Sequence, residues 1–229
     1  MEIRLGSLLM GAHEAEGIVV IVDVFRAFTT ASIAFSRGAD RILLVAQVEE
    51  ALDLRGRGLG DLCMGEVGGM RPPDFDFGNS PFELSQADVR GKTLIQSTRA
   101  GTVGVAAARK ADQIYVASLV IAEATVKAVA RSSPDVVSIV AMGSEGKMRA
   151  DEDEQCALYM RNLLQGRKPD RDAVRTLILT GAETQKYGDP VLPHFHPEDV
   201  DLALQIDSIH FAIKVTRERG LLVARPESV

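Results

Sequence analysis

Short apolar runs separated by helical patterns constrain this chain more than any other feature. Ile18–Val24, Arg41–Val45, Lys92–Gln96, Gln113–Ala117 and Val136–Met142 are rich in Val, Ile and Leu, and each is too short for a helix. In IVVIV and VVSIVAM the apolar residues largely follow one another instead of alternating with polar ones, so both faces of those strands must be buried. That is the condition of a largely parallel sheet covered by helices. Ala27–Arg37, Val48–Arg57, Thr102–Lys110 and Leu119–Arg131 supply the helical patterns between the runs. After Pro169 the pattern is less regular. There Asp172–Leu179 and Pro197–Gln205 read as helices, and Ile209–Val215 and Leu221–Ala224 as added edge strands. The expected fold is α/β, a three-layer α/β/α arrangement around a central mixed, largely parallel sheet. No linker or repeat interrupts residues 1–229, which are expected to form one domain or two closely packed lobes.

The ends of these runs carry the first functional signal. IVVIV runs into Asp23, TLIQ into Ser97-Thr98, IYVA into Ser118 and VSIVAM into Gly143-Ser144. If the strands are parallel, these ends share the carboxyl edge, where open α/β sheets place their ligand crevice. Hydroxyls, glycines and a carboxylate recurring at one edge point to a site there.

The segment from Met64 to Pro81, MGEVGGMRPPDFDFGNSP, follows neither a helical nor a strand period. A structureless stretch of this length inside a domain is uncommon and tends to be functional. Its residue types suit a backbone curling around a charged ligand. Glycine lets main-chain N–H groups approach an anion, arginine forks onto phosphate or carboxylate, and carboxylates hold a hard cation. The competing reading is a surface loop whose residues simply make turns. Ser80-Pro81-Phe82-Glu83 is a capping box with proline at its first helical position, so Ser80 reads first as a helix cap.

MGEVGG followed by RPPDFDFGNSP resembles the "GERGG…pgFDlGNSP" signature of the 2-phosphosulfolactate phosphatase family. Ile18–Thr30, IVVIVDVFRAFTT, is similar to that family's "vvVIDVLRATTT", and Glu152-Asp153 followed by Cys156-Ala157 to its "ED..cAG". The resemblance implies magnesium-dependent hydrolysis of the phosphate ester of a small 2-hydroxy acid. In the family this is 2-phosphosulfolactate to sulfolactate, a step toward coenzyme M. It further implies Mg2+ as cofactor and a small anionic phosphorylated substrate as partner. The chain departs from the family pattern at Ala100, where "TTNGT" has asparagine, and at Ile121, where "SflNA" has asparagine. Losing two amides implies altered substrate contacts. It keeps open a phosphatase acting on another phosphorylated small acid, and a non-catalytic binder of phosphorylated or sulfonated metabolites.

Individual residues divide by chemistry. Asp23 and Arg26 are the expected catalytic pair. A carboxylate following five apolar residues is costly to desolvate without a cation or hydrogen-bond donors. Asp23 is thus a magnesium ligand or a nucleophile, with an N-cap or an ion pair to Arg26 as its structural alternative. Phosphatases with an aspartyl-phosphate intermediate also begin with a strand ending in Asp, but they usually carry a second acid two residues later, where this chain has Phe25. Arg26 suits bidentate phosphate binding. Thr30, Arg71, Asn79, Ser97, Arg99, Gly101 and Thr102 are the expected substrate contacts, the last four forming a strand-to-helix turn rich in anion donors. Glu66, Asp76, Glu152 and Asp153 join Asp23 as candidate metal ligands. Asp151 and Glu154 are accounted for by a capping box at a helix start, which leaves Glu152 and Asp153 unexplained as structure. The Gly143–Gly146 turn is placed to carry that helix start toward the crevice. His194 and His196 lack an identifiable third metal ligand.

The net charge of −6 offers no basic footprint for nucleic acid and is repelled by anionic membrane surfaces. No apolar run approaches the ~20 residues of a membrane span, and the first residues do not form a signal peptide. Cys63 and Cys156 make no CxxC and no disulfide framework. The chain is expected in the cytoplasm, as a monomer or a homodimer.

Overall fold

In the computed structural model, which describes residues 1–229, the apolar runs are strands of a single nine-stranded sheet. The first half of the chain gives β1 (Glu2–Ser7), α1 (Leu8–Glu14), β2 (Gly17–Val22), α2 (Ala27–Ser36), β3 (Arg41–Val45), α3 (Val48–Gly56), β4 (Leu62–Gly65), α4 (Pro81–Gln86) and β5 (Thr93–Ser97). The second half gives α5 (Gly101–Ala107), β6 (Ala111–Ala117), α6 (Ala122–Arg131), β7 (Val136–Ala141), α7 (Asp151–Leu164), α8 (Arg171–Leu179), α9 (Pro197–Ala203), β8 (Phe211–Glu218) and β9 (Leu221–Ser228). No helix is long and apolar enough to cross a membrane.

The strand order is β1-β7-β2-β6-β8-β9-β3-β5-β4. Strands β1, β7, β2 and β6 form one parallel block, and β3, β5 and β4 another. The antiparallel β8–β9 hairpin joins them, pairing with β6 on one side and β3 on the other. These strands were expected at an edge; they lie at the centre. Only Ile213–Val215 and Leu222–Ala224 pair outward, so more than half of the hairpin lies beyond the neighbouring ladders and reads as polar as an edge strand would. The true edges are β1 and β4, neither of which announces itself in the sequence. β1 alternates charged and apolar residues, with Arg4 paired to Glu2 and Glu16, the charged edge that blocks further pairing. β4 is only four residues long.

The hairpin also reverses direction. Counting through the antiparallel ladders, β5 runs opposite to β2, so the carboxyl edge expected for all strand ends is not a single straight edge. The right-handed twist of roughly 20–25° per strand accumulates over the five steps from β2 to β5 to more than a right angle. The ends of the two blocks meet: a side chain at Gly101, just after β5, would lie 2.8 Å from Asp23 Oδ2, just after β2.

Period-two alternation distributes each strand between core layers. Val19 and Ile21 of β2 share a cluster of 30 residues with Ile42, Leu44, Leu94 and Ile213, whereas Val20 and Val22 face α6 and α7 in a cluster of 25. Leu43, Val45 and Ile95 pack on α3 in a third cluster. Each fully buried Val or Ile contributes about 1.5–3 kcal/mol. Helix α2 lies inside this arrangement and is buried on nearly every face, which its small residues Ala27, Thr29, Thr30, Ala31, Ser32 and Ala34 permit.

Candidate active site

Asp23 sits where β2 leaves the core. Its Oδ1 accepts from the Ala27 amide at 2.9 Å, fixing the start of α2, and it makes no ion pair with Arg26. Beside it opens a crevice of about 210 Å³ whose acids are Asp23, Glu66, Glu145, Glu152 and Glu183 and whose cations are Arg26, Arg99 and Lys186. Close approach at the rear of the crevice requires glycine twice. Gly65 ends β4 at φ +147°, where a side chain would lie 1.9 Å from the Ser97 carbonyl, and Gly101 leaves room for Asp23.

The acidic wall is buried without an ion-pair partner, although the nearby Arg26 charge draws the Asp23 carboxyl down a little. Burial, helped by Glu66, pushes the Asp23 carboxyl up to about 6 despite the Ala27 amide. Burial, with Glu183 and Asp23 adding repulsion, pushes Glu152 up to about 8. Asp153 is raised well above the usual range, again mainly by burial and then by Asp23. Its two oxygens accept from the Val24 amide at 2.6 Å and the Gly143 amide at 2.7 Å, which ties the exits of β2 and β7 together. Asp153 therefore holds the walls in register from behind and has no oxygen turned to the crevice.

Arg26 is handled differently. Its guanidinium donates to Asp199 Oδ2 at 3.0 Å, the His194 carbonyl at 2.7 Å and the Gly69 carbonyl at 3.1 Å, and lies over the Phe195 ring. Three of its five N–H groups are thus taken by protein acceptors. Asp199 also accepts from Ser80 Oγ at 2.6 Å and the Phe82 amide at 3.0 Å. Ser80 caps α4 as its sequence indicates, accepting from the Glu83 amide.

Asn79 faces the crevice, and its buried Oδ1 has no hydrogen-bond partner. A buried amide without partners costs about 1–3 kcal/mol unless a water or ligand meets it. For a cation, Asp23 and Glu152 offer hard oxygen donors with Glu66 nearby, though no three acid, histidine or cysteine side chains converge as a ready-made cage. That set fits magnesium, which takes one or two carboxylates and keeps several waters.

A family model described as 2-phosphosulpholactate phosphatase matches residues 7–217. The chain belongs to the 2-phosphosulfolactate phosphatase family. With it comes the enzyme class, phosphoric monoester hydrolase. Among the relatives, each named "Probable 2-phosphosulfolactate phosphatase", the protein of Thermoplasma acidophilum is 31% identical over 99% of this chain and 97% of its own length. That of Bacillus subtilis is 30% identical over 88% of each. The Thermus thermophilus protein is 36% identical over 66% of this chain, a match that spans 64% of its own length.

Within this family member the crevice gathers Asp23, Arg26, Glu66, Asn79, Arg99 and Glu152, with Gly101 and Asp153 immediately behind. Other expected residues lie elsewhere. Thr30 donates to the Arg26 and Asn79 carbonyls and is internal. Ser97 is a buried strand residue, and Thr102 closes its own turn through Thr98. Arg71 is exposed and reaches only the Asp76 carbonyl. Asp76 turns away from the crevice toward α3, pairing with Arg55 at 2.9 Å and accepting from the Cys63 amide. The Ile121 departure is fully buried in the core and touches no substrate space, whereas Ala100 lines the crevice. Sequence reasoning missed Glu145, Glu183, Lys186, Phe195 and Asp199. The one signal for most of them was the aperiodic stretch from Thr180 to His196, the same signal that singled out Met64–Pro81.

Proposed function

We propose that this chain is a magnesium-dependent phosphatase that hydrolyses 2-phosphosulfolactate to sulfolactate, as in coenzyme M biosynthesis. The observation that carries the reading is the uncompensated pair Asp23 and Glu152 facing the unpartnered Asn79 amide in one small crevice. Asp23 and Glu152 would hold Mg2+, which supplies charge neutralisation and orientation of a water, while Glu66, whose two oxygens accept from the Gly69 and Arg99 amides, ties the loops beside them. Arg26 keeps two N–H groups without a protein acceptor for the phosphoryl oxygens. The unpartnered Asn79 Oδ1, an acceptor, would take a hydrogen bond from the attacking water or add one more oxygen toward the cation. Arg99, whose guanidinium has no protein acceptor, stands in the crevice lining, where its charge would draw an anionic substrate in. Water attacks phosphorus, the P–O ester bond breaks and the alkoxide takes a proton. A loose transition state asks mainly for such positioning and charge stabilisation. Phe25 lines the crevice where an aspartyl-phosphate mechanism would need its second acid, which favours direct water attack.

Ala100 in the crevice wall favours one second reading, that the phosphorylated acid is a different one. Phosphate release from 2-phosphosulfolactate, 2-phospholactate and 2-phosphoglycerate, with magnesium and with chelator, tests both. Magnesium-dependent turnover with the highest kcat/KM on the sulfonated ester is expected. Preference for another ester selects the second reading, and ligand-induced stabilisation without turnover on any ester overturns both.

A further inference from the structure

The three crevice cations are not equivalent. Arg26 is locked by protein acceptors and Arg99 is free at the rim, but Lys186 is held by a single neighbour, Glu183 Oε2 at 2.6 Å. Both belong to one short 3₁₀ turn, Glu183–Lys186, and both line the crevice. Their side chains remain 37% and 26% exposed, so neither is fixed by packing. Glu183 also stands among the acids that act on Glu152. An ion pair this exposed is weak and exchanges partners readily. With five acids against three cations, Lys186 and Arg99 are the crevice's two cations not locked by several protein acceptors.

We infer that Lys186 determines specificity by binding the substrate's second, non-transferred anion, with Glu183 as a resident counter-ion that gives way when substrate enters. The inference rests on the phosphatase reading. It explains a pair that stabilises little where it stands: Glu183 keeps Lys186 oriented into the crevice and neutral overall until a carboxylate or sulfonate competes for it. Such a contact is made equally in ground and transition states, so its loss appears in KM and not in kcat.

The test compares 2-phosphoglycerate with glycerol 2-phosphate, esters of nearly equal size that differ by one carboxylate, in the magnesium-loaded full chain. Wild type is expected to show the lower KM for the carboxylated ester. Lys186→Met should raise that KM roughly ten-fold with kcat kept within about two-fold, so the preference collapses. Lys186→Arg should restore most of the preference, and Glu183→Gln should lower the KM for the carboxylated ester. Equal effects of Lys186→Met on both esters, or a loss confined to kcat, overturn the inference. If wild type releases phosphate from neither of these esters nor from 2-phosphosulfolactate, the phosphatase reading itself fails. Calorimetric binding of 2-phosphoglycerate then decides on Lys186: weaker binding by Lys186→Met keeps it as an anion contact, and unchanged binding removes it.

Discussion

Two groups of buried charge lie side by side in this molecule and are treated in opposite ways. Asp199 receives three donors, from Arg26, Ser80 and the Phe82 amide, and joins the starts of α2, α4 and α9. Asp23, Glu152 and Asp153 are equally buried, yet no cation meets them. Asp199 is scaffold, because its donors define one arrangement, and it holds Arg26 in place with two N–H groups left without a protein acceptor. An unpaired group of like charges is unfavourable alone and becomes favourable only when a ligand of opposite sign arrives. The contrast separates structure from chemistry within one crevice, and each variant below tests it.

The largest expected effect is on the paired side. Asp199→Ala leaves Arg26 buried without its counter-ion and strips the acceptor from Ser80 and the Phe82 amide. A loss of about 3–5 kcal/mol in unfolding free energy is expected, measured by denaturant titration. Asp199→Asn keeps the shape and should cost less, on the order of 1–3 kcal/mol. A loss under ~1 kcal/mol for the alanine variant would mean that the pair is not scaffold.

On the unpaired side the sign for stability reverses. Asp23→Asn keeps the acceptor for the Ala27 amide and removes one like charge. Magnesium-dependent turnover should fall roughly 10²- to 10³-fold, the scale of removing a key electrostatic contact from an active site. The melting temperature in chelator should not fall. Unchanged turnover would remove Asp23 from the site, and a large loss of stability would move it to the scaffold class.

The same logic gives a pH dependence. Asp23 is raised from 3.8 to about 6 and Glu152 from 4.5 to about 8 in the metal-free fold. Both favour the folded state while protonated. Their contribution is complete below about pH 4 and is lost as pH rises through about 6 and then about 8. Without metal, the melting temperature should therefore decline from pH 5 to pH 8, by about 2–4 °C for each kcal/mol lost. Magnesium, which binds the charged forms, should raise it more at pH 8 than at pH 5. The double variant Asp23→Asn, Glu152→Gln should flatten the decline. A metal-free melting temperature that climbs between pH 5 and pH 8 would contradict the assignment.

How much of this was legible in the sequence follows from the same physics. Asp23 was legible because a charge ending a continuous apolar run has few structural explanations. The sheet class was legible because IVVIV and VVSIVAM leave no exposed face. The central place of the β8–β9 hairpin was not, since only three residues of each strand pair outward and the remainder look like an edge. Asp199 was hidden because an acid in a helix first turn already has a macrodipole explanation. Lys186 was hidden because neither period nor motif marks a 3₁₀ turn in the tail. Composition flagged the Met64–Pro81 loop but could not tell which of its side chains turn inward: Glu66 and Asn79 do, Arg71 and Asp76 do not.

Asp76 gives the smallest effect and the sharpest control. It is a carboxylate of the same loop that already has a cation, with Arg55 at 2.9 Å, and both side chains are about one-third exposed, 31% and 32%. A pair so exposed is worth about 0.2–1 kcal/mol. Asp76→Asn removes the charge and keeps an acceptor for the Cys63 amide, so unfolding free energy should drop by less than about 1 kcal/mol. The magnesium concentration for half-maximal phosphate release should match wild type. If that concentration rises instead, Asp76 reaches the metal when the loop is occupied, and the line between paired scaffold and unpaired site has been drawn in the wrong place.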